Sequence, residues 1–102
     1  MAVSLQVLYP IGEDTNFDYD YYVGTHHPLV LEHMGAHIQS TQIAKGVAGG
    51  PDQPPGFYAI YTITFADQAA MQAALAAAGP VLADIPNYTN TQPQMLMGEV
   101  LA

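Results

Sequence analysis

An α+β fold, with one antiparallel sheet covered on one side by two helices, is predicted for this chain by three observations. Segments of strand-like alternation and segments of helical periodicity follow one another in the order β-α-β-β-α-β. A glycine- and proline-rich stretch, Gly49-Gly50-Pro51-Asp52-Gln53-Pro54-Pro55-Gly56, joins the two middle strands with no room for a helix. The strand after it is apolar on both faces, so a sheet with helices on one side only is left with an uncovered face. At 102 residues, the chain is expected to be a single domain spanning residues 1–102.

The elements follow in order. Val3, Leu5, Val7 and Tyr9 alternate with Ser4 and Gln6, which marks a first strand ended by Pro10 and Gly12. Asp18 is a helix N-cap, and Phe17 before it is placed to staple onto Tyr21 or Tyr22. Tyr22, His26, Leu29 and His33 then recur at i, i+4, i+7 and i+11, the spacing of one helical face. Pro28 has no N–H to give the helix, which predicts a kink or restart there, and Gly35 is expected to end it. A second strand is read over Ile38–Val47. Phe57–Phe65 is the clearest strand, with Phe57, Ala59, Tyr61, Ile63 and Phe65 on one side and Tyr58, Ile60, Thr62 and Thr64 on the other. Asp67 caps an alanine-rich helix through Ala78, with Met71, Ala74, Leu75 and Ala78 as its buried stripe. Gly79-Pro80 begins a short helical turn to Ile85, Pro86 ends it, and Gln92–Leu101 reads as the last strand. This order is the ferredoxin-like split β-α-β unit. The face left bare is expected to meet a second copy of the chain, giving a homodimer.

Composition excludes whole classes of partner. Half the residues are hydrophobic and only 10% are charged, and the net charge of −8 leaves Lys45 as the only basic residue. Nucleic-acid binding works by neutralising phosphates with lysine and arginine, so no nucleic acid is expected. The same argument excludes an anionic membrane surface, and no run approaches the ~18 apolar residues of a transmembrane span. A carboxylate or phosphate substrate finds no arginine clamp, whereas a neutral apolar or phenolic small molecule fits better. With no cysteine there is neither a disulfide nor a thiolate. Together with the lack of a basic, then apolar, leader at the start, this leads to an expected cytoplasmic setting.

All four histidines fall between His26 and His37. Imidazole titrates near neutrality, so this segment holds the ordinary acid–base groups of the chain. His26 follows Tyr22 by one turn, close enough for a shared pocket wall or a hydrogen bond. It is either a general acid/base or a group satisfying a backbone carbonyl near Pro28. His33 and His37 stand at the i, i+4 spacing of a chelating pair, yet Gly35 lies between them and no glutamate base follows the first. They read as solvated helix-end histidines, with no metal site assigned. Tyr9, Tyr58, Tyr61 and Tyr88 are each able to point a hydroxyl into a cavity or simply to satisfy a nearby carbonyl. Asp84 is either a partner for a histidine or bonded to its own turn. No Ser-His-Asp order or glycine-rich phosphate loop is present.

Four signatures, Leu8-Tyr9-Pro10, FDYDYYVGTHHPL at Phe17–Leu29, YTITF at Tyr61–Phe65 and DIPNYTNTQP at Asp84–Pro93, resemble the EthD family in order and spacing. That family, named for ethyl tert-butyl ether degradation, is part of the dimeric α+β-barrel superfamily. The resemblance implies a homodimer whose two sheets form a barrel. It matches His26 to the histidine of Thr-His-x-Pro-Leu, Tyr22 to the motif's second tyrosine, and Asn87-Tyr88 to a Pro-Asn-aromatic step. His27 fills the variable position. Some members carry the name reductase, but no nicotinamide or flavin motif appears here and no cofactor is expected. Related barrels include muconolactone-type isomerases, polyketide cyclases, cofactor-free monooxygenases and haem proteins.

Two functions follow as expectations. One is a small cofactor-independent enzyme that isomerises, cyclises or dehydrates a neutral apolar or phenolic compound. His26 and Tyr22 would be its catalytic residues, with Leu29, His33, Tyr61, Asn87 and Tyr88 holding the substrate. The other is a non-catalytic small-molecule-binding or accessory dimer of a degradation pathway. A second polar group converging with His26 on an open cavity distinguishes the enzyme from the binder.

Overall fold

The computed structural model describes all residues from Met1 to Ala102. Four strands, β1 (Val3–Pro10), β2 (Ser40–Lys45), β3 (Phe57–Phe65) and β4 (Gln94–Glu99), form one sheet in the order β2-β3-β1-β4. Every neighbouring pair is antiparallel. This is the ferredoxin-like arrangement, and both outer strands are shorter than their predicted spans. Val7 stands opposite Tyr61 on one side and Met95 on the other, and Leu5 likewise opposite Ile63 and Met97. That register collects the inward-facing residues of β1 and β3 into one apolar surface.

The second helical layer is capped as its sequence requires. The Asp67 side chain accepts from the Ala70 N–H at the start of α3 (Gln68–Ala76). Met71, Ala74 and Ala78 turn inward, joined by Val81 from α4 (Gly79–Asp84). A 3-10 turn, Ile85–Asn87, then continues past Pro86 where the sequence suggested a stop. No single helix is long and apolar enough to cross a membrane.

The first helical layer departs from its expected phase. Asp18 caps α1 (Tyr19–Tyr21) by accepting from the Tyr21 N–H, and Phe17 packs edge-on against Tyr22 with ring centroids 4.9 Å apart. Next comes a π-helical turn, Tyr22–His26, in which the His27 N–H reaches back five residues to the Tyr22 carbonyl. Only then does α2 (His27–Met34) begin, with Pro28 in its first turn, where a missing N–H costs nothing. The expected kink at Pro28 thus takes the form of a change in hydrogen-bond register while the chain stays right-handed helical. A π-turn adds one residue to the helix, and each residue is worth about 100° of rotation. The buried stripe is therefore Tyr22, His26, Val30 and Met34, and not the predicted Tyr22, His26, Leu29 and His33. Gly35 starts a 3-10 turn to His37 that closes the segment.

Candidate active site

The aromatic residues of β1, the first helical layer and the turn after α4 converge at one end of the core. Tyr9, Tyr22 and Tyr88 are all buried, and their rings meet one another at centroid distances between 4.9 and 5.8 Å. His26 lies among them, 2% exposed, its ring stacked on Tyr22 at 5.4 Å and 13°. This is the shared wall expected of a Tyr22–His26 pair one turn apart. The two do not hydrogen-bond, because stacked rings aim their polar atoms along the planes and not at each other. The Tyr22 hydroxyl is buried without a hydrogen-bond partner, and burial raises its pKa well above the ordinary value.

Asp84 anchors the histidine. His26 Nδ1 lies 2.9 Å from Asp84 Oδ2 and donates its hydrogen there, while Oδ1 accepts from the Tyr21 hydroxyl at 2.7 Å and from Asn87 Nδ2 at 2.9 Å. Both readings of Asp84 hold at once, since Asn87 belongs to its own turn. Fixing the hydrogen on Nδ1 leaves Nε2 as an acceptor. The Tyr88 hydroxyl faces Nε2 at 3.4 Å, a long contact with room to tighten, and lies 2.7 Å from the Tyr9 hydroxyl. The polar atoms therefore run Asp84, His26, Tyr88, Tyr9 through an otherwise apolar interior.

A cavity of about 260 Å³ opens beside this chain of groups. Its walls are Leu5, Val7, Val30, Met34, Ile63 and Val81, with further aliphatic residues, and its polar edge is His26 with Tyr9. Leu82 and Met95, 50% and 47% exposed, stand at its rim, so the cavity communicates with the surface. Such a space takes an apolar body and offers one polar contact region.

The other predicted site residues fall differently, and neither Tyr22, which packs on His26, nor Tyr88 lines this cavity. Leu29 and His33 do not line the cavity, because the π-turn puts Val30 and Met34 there in their place. Tyr61 lines it with its ring, but its hydroxyl turns away to His27 Nδ1. Asn87 supports Asp84 and does not face the cavity. His33 and His37 are parted by the change of helix type at Gly35, and no third metal-ligating side chain joins them.

Residues 12–92 match the EthD domain family. The chain belongs to the EthD family. An EthD-like protein from Ralstonia eutropha JMP134 is 31% identical, with a TM-score of 0.89 over 99% of this chain and 93% of its own. An ethyl tert-butyl ether degradation (EthD) family protein from Bacillus halodurans C-125 is 21% identical, with a TM-score of 0.79 over 99% of this chain and all of its own. A Dabb family protein with a ferredoxin-like fold from Mesorhizobium loti MAFF303099 shares 10% identity at a TM-score of 0.59, over 99% of this chain and 98% of its own. Among proteins with curated descriptions, none matches.

In this EthD chain, the match includes the Phe17–Leu29 and Asp84–Gln92 segments that meet at His26, while Tyr9 lies before it. Tyr9, Tyr21 and Asp84 are the site residues that sequence reasoning passed over or left undecided. Asp84 carried a signal in its place at the head of the Asp-Ile-Pro-Asn-Tyr signature. Tyr9 carried one only as the last inward residue of β1.

Burial holds the His26 pKa below its ordinary 6.5 and outweighs Asp84, which pulls upward. Burial alone would raise the Asp84 carboxyl, but hydrogen bonds from Tyr21, Asn87 and His26 together hold it below its ordinary 3.8. Both groups bind protons more readily in the unfolded chain, so acidification destabilises the fold. The His26 contribution is complete above pH ~6.5 and is lost as the pH falls through its lowered folded value; the Asp84 contribution goes at lower pH still. In an NMR titration, His26 is expected to protonate below its ordinary 6.5. Protonation of His26 at or above 6.5 would remove it from the buried site.

Proposed function

We propose that this EthD protein is a cofactor-independent enzyme that moves a proton on a neutral apolar or phenolic small molecule. The observation carrying this reading is the His26 ring. One nitrogen is fixed by a carboxylate, while the other is left as an acceptor at the polar edge of an apolar cavity. A histidine that merely fills the core needs no carboxylate to choose its tautomer. A second polar group, the Tyr9 hydroxyl, lines the same cavity and is linked through Tyr88 to that nitrogen, and the cavity has a rim open to the surface. Those two features favour the enzyme over the accessory binder. In the proposed cycle, His26 Nε2 takes a proton from the substrate and Asp84 stabilises the imidazolium that forms. The Tyr9 hydroxyl, which lines the cavity and is backed by Tyr88, gives a hydrogen bond to the developing oxyanion. The test is a panel of enolisable and phenolic compounds incubated with the protein in D₂O and followed by NMR. Site-specific deuterium incorporation supports proton transfer. Compounds that bind without any exchange would make the protein a carrier.

The same reading includes a homodimer formed sheet to sheet. The outer face of the sheet carries Ser4, Gln6, Leu8, Ile60, Thr62, Thr64, Gln94 and Leu96, without one charge in a chain of net charge −8. Leu96 is 59% exposed there. The protein is expected to sediment at twice its protomer mass of 10.9 kDa. Ile60→Glu, which buries a charge at the centre of that face, should return it to the protomer mass. A wild-type protein that stays monomeric at micromolar concentration would exclude the dimer.

A further inference from the structure

A second chamber lies on the other side of the first helical layer. It is a groove of about 410 Å³ between that layer and β2, and it shares no lining residue with the His26 cavity. Lys45, at its edge, is the only cationic side chain among nine carboxylates, yet it forms no ion pair with any of them. Its Nζ sits 4.5 Å from the centre of the Tyr19 ring, held over an aromatic face. In a chain this acidic, an exposed lysine that escapes every carboxylate is a free point charge.

His27 lines the same groove, and its Nδ1 is engaged by the Tyr61 hydroxyl. That hydroxyl has no other acceptor, so it donates to Nδ1 and leaves the ring hydrogen on Nε2, a second donor for a ligand. Between the two donors lie Tyr19, Tyr22, Val23 and Ile43, with Thr41 and Gln42 along the β2 side. A lone lysine lacks the fork that grips a phosphate, and the surrounding negative field opposes a dianion. A monoanion with a flat apolar body meets all of these conditions.

We propose that this groove is a second ligand site, for a small aromatic carboxylate whose charge meets Lys45 and whose ring lies between the helix and β2 beside His27. The assignment is independent of the chemistry at His26. Benzoate, with benzyl alcohol as its neutral counterpart, is titrated into ¹⁵N-labelled protein. Benzoate is expected to shift the amides of Val23, Ile43 and Lys45 in a saturable manner and to bind about tenfold more tightly than the alcohol. Lys45 is exposed, so Lys45→Gln should fold normally, weaken benzoate about tenfold and leave the alcohol unchanged, while Lys45→Arg retains the preference. Equal affinity for the two compounds, indifference of benzoate to Lys45→Gln, or shifts centred on Val30, Met34 and Val81 would each overturn the assignment.

Discussion

His26→Ala is expected to lower the rate of substrate deuterium exchange by ~10²–10⁴-fold, the range a positioned general acid/base contributes. The loss should fall on kcat, because the apolar walls that hold the substrate body stay in place and the removed ring acts on the proton in flight. Alanine also empties the space between Tyr22 and Tyr88, so the variant's fold must be checked by its NMR spectrum before the rate is read. His26→Gln serves as the companion. It keeps most of the volume and a hydrogen-bond partner for Asp84 but has no titratable nitrogen. Both variants slow with folding intact is the expected result. Undiminished exchange in either would end the assignment of His26 as the base.

Asp84→Asn is expected to be nearly as severe, with a sharper signature. Asp84 Oδ1 accepts from two donors, Tyr21 and Asn87, while Oδ2 accepts only from His26. An asparagine in this position satisfies both donors by keeping its carbonyl in the Oδ1 place, which turns its amide nitrogen toward His26. Nδ1 must then accept, and the hydrogen moves to Nε2, the atom that faced the Tyr88 hydroxyl as an acceptor. The base is present but reversed. Imidazole ¹⁵N shifts report the tautomer directly, so the expected outcome has two parts: a switch from Nδ1–H to Nε2–H, and an exchange rate reduced by ~10²-fold or more. Loss of the carboxylate also removes the group that pulls the His26 pKa upward, so it should fall further. A switched tautomer with full activity would show that Nε2 is not the reacting atom.

Much of this fold was legible because each element carried its own punctuation. Asp18 and Asp67 cap the helices that their sequence contexts promised, and Phe57–Phe65 keeps its predicted bounds, although Tyr58 leaves the alternation to stack on Phe17. The outer strands β2 and β4 were overestimated. Beyond their ends only single bonds persist, from Gln39 to Thr64, Gly46 to Tyr58 and Val100 to Ala2, and Pro93 has no N–H with which to extend β4. At the site, His26, Tyr22 and Tyr88 were recognisable from the signature residues, and the structure brings all three into one cluster. Leu29 and His33 were misplaced for one local reason, a hydrogen-bond register that periodicity assumes constant. The tyrosine hydroxyls were the least legible of all. Strand alternation fixes the face a ring occupies, but the direction of Tyr61 toward His27, and of Tyr9 toward Tyr88, depends on side chains more than thirty positions away.

The π-turn makes the angular setting of the helix a property separate from its composition. Closing Tyr22–His26 to α-helical hydrogen bonds without deleting a residue would leave hydropathy, charge and length as they are, and yet swing everything downstream by about 100°. Leu29 and His33 would then look into the cavity, and Val30 and Met34 would leave it. A lining now wholly aliphatic along that helix would gain an imidazole. The hydrogen-bond register of one short turn therefore sets the character of the binding space, and loss of one residue within it should be absorbed by the bulge, leaving Val30 and Met34 inward.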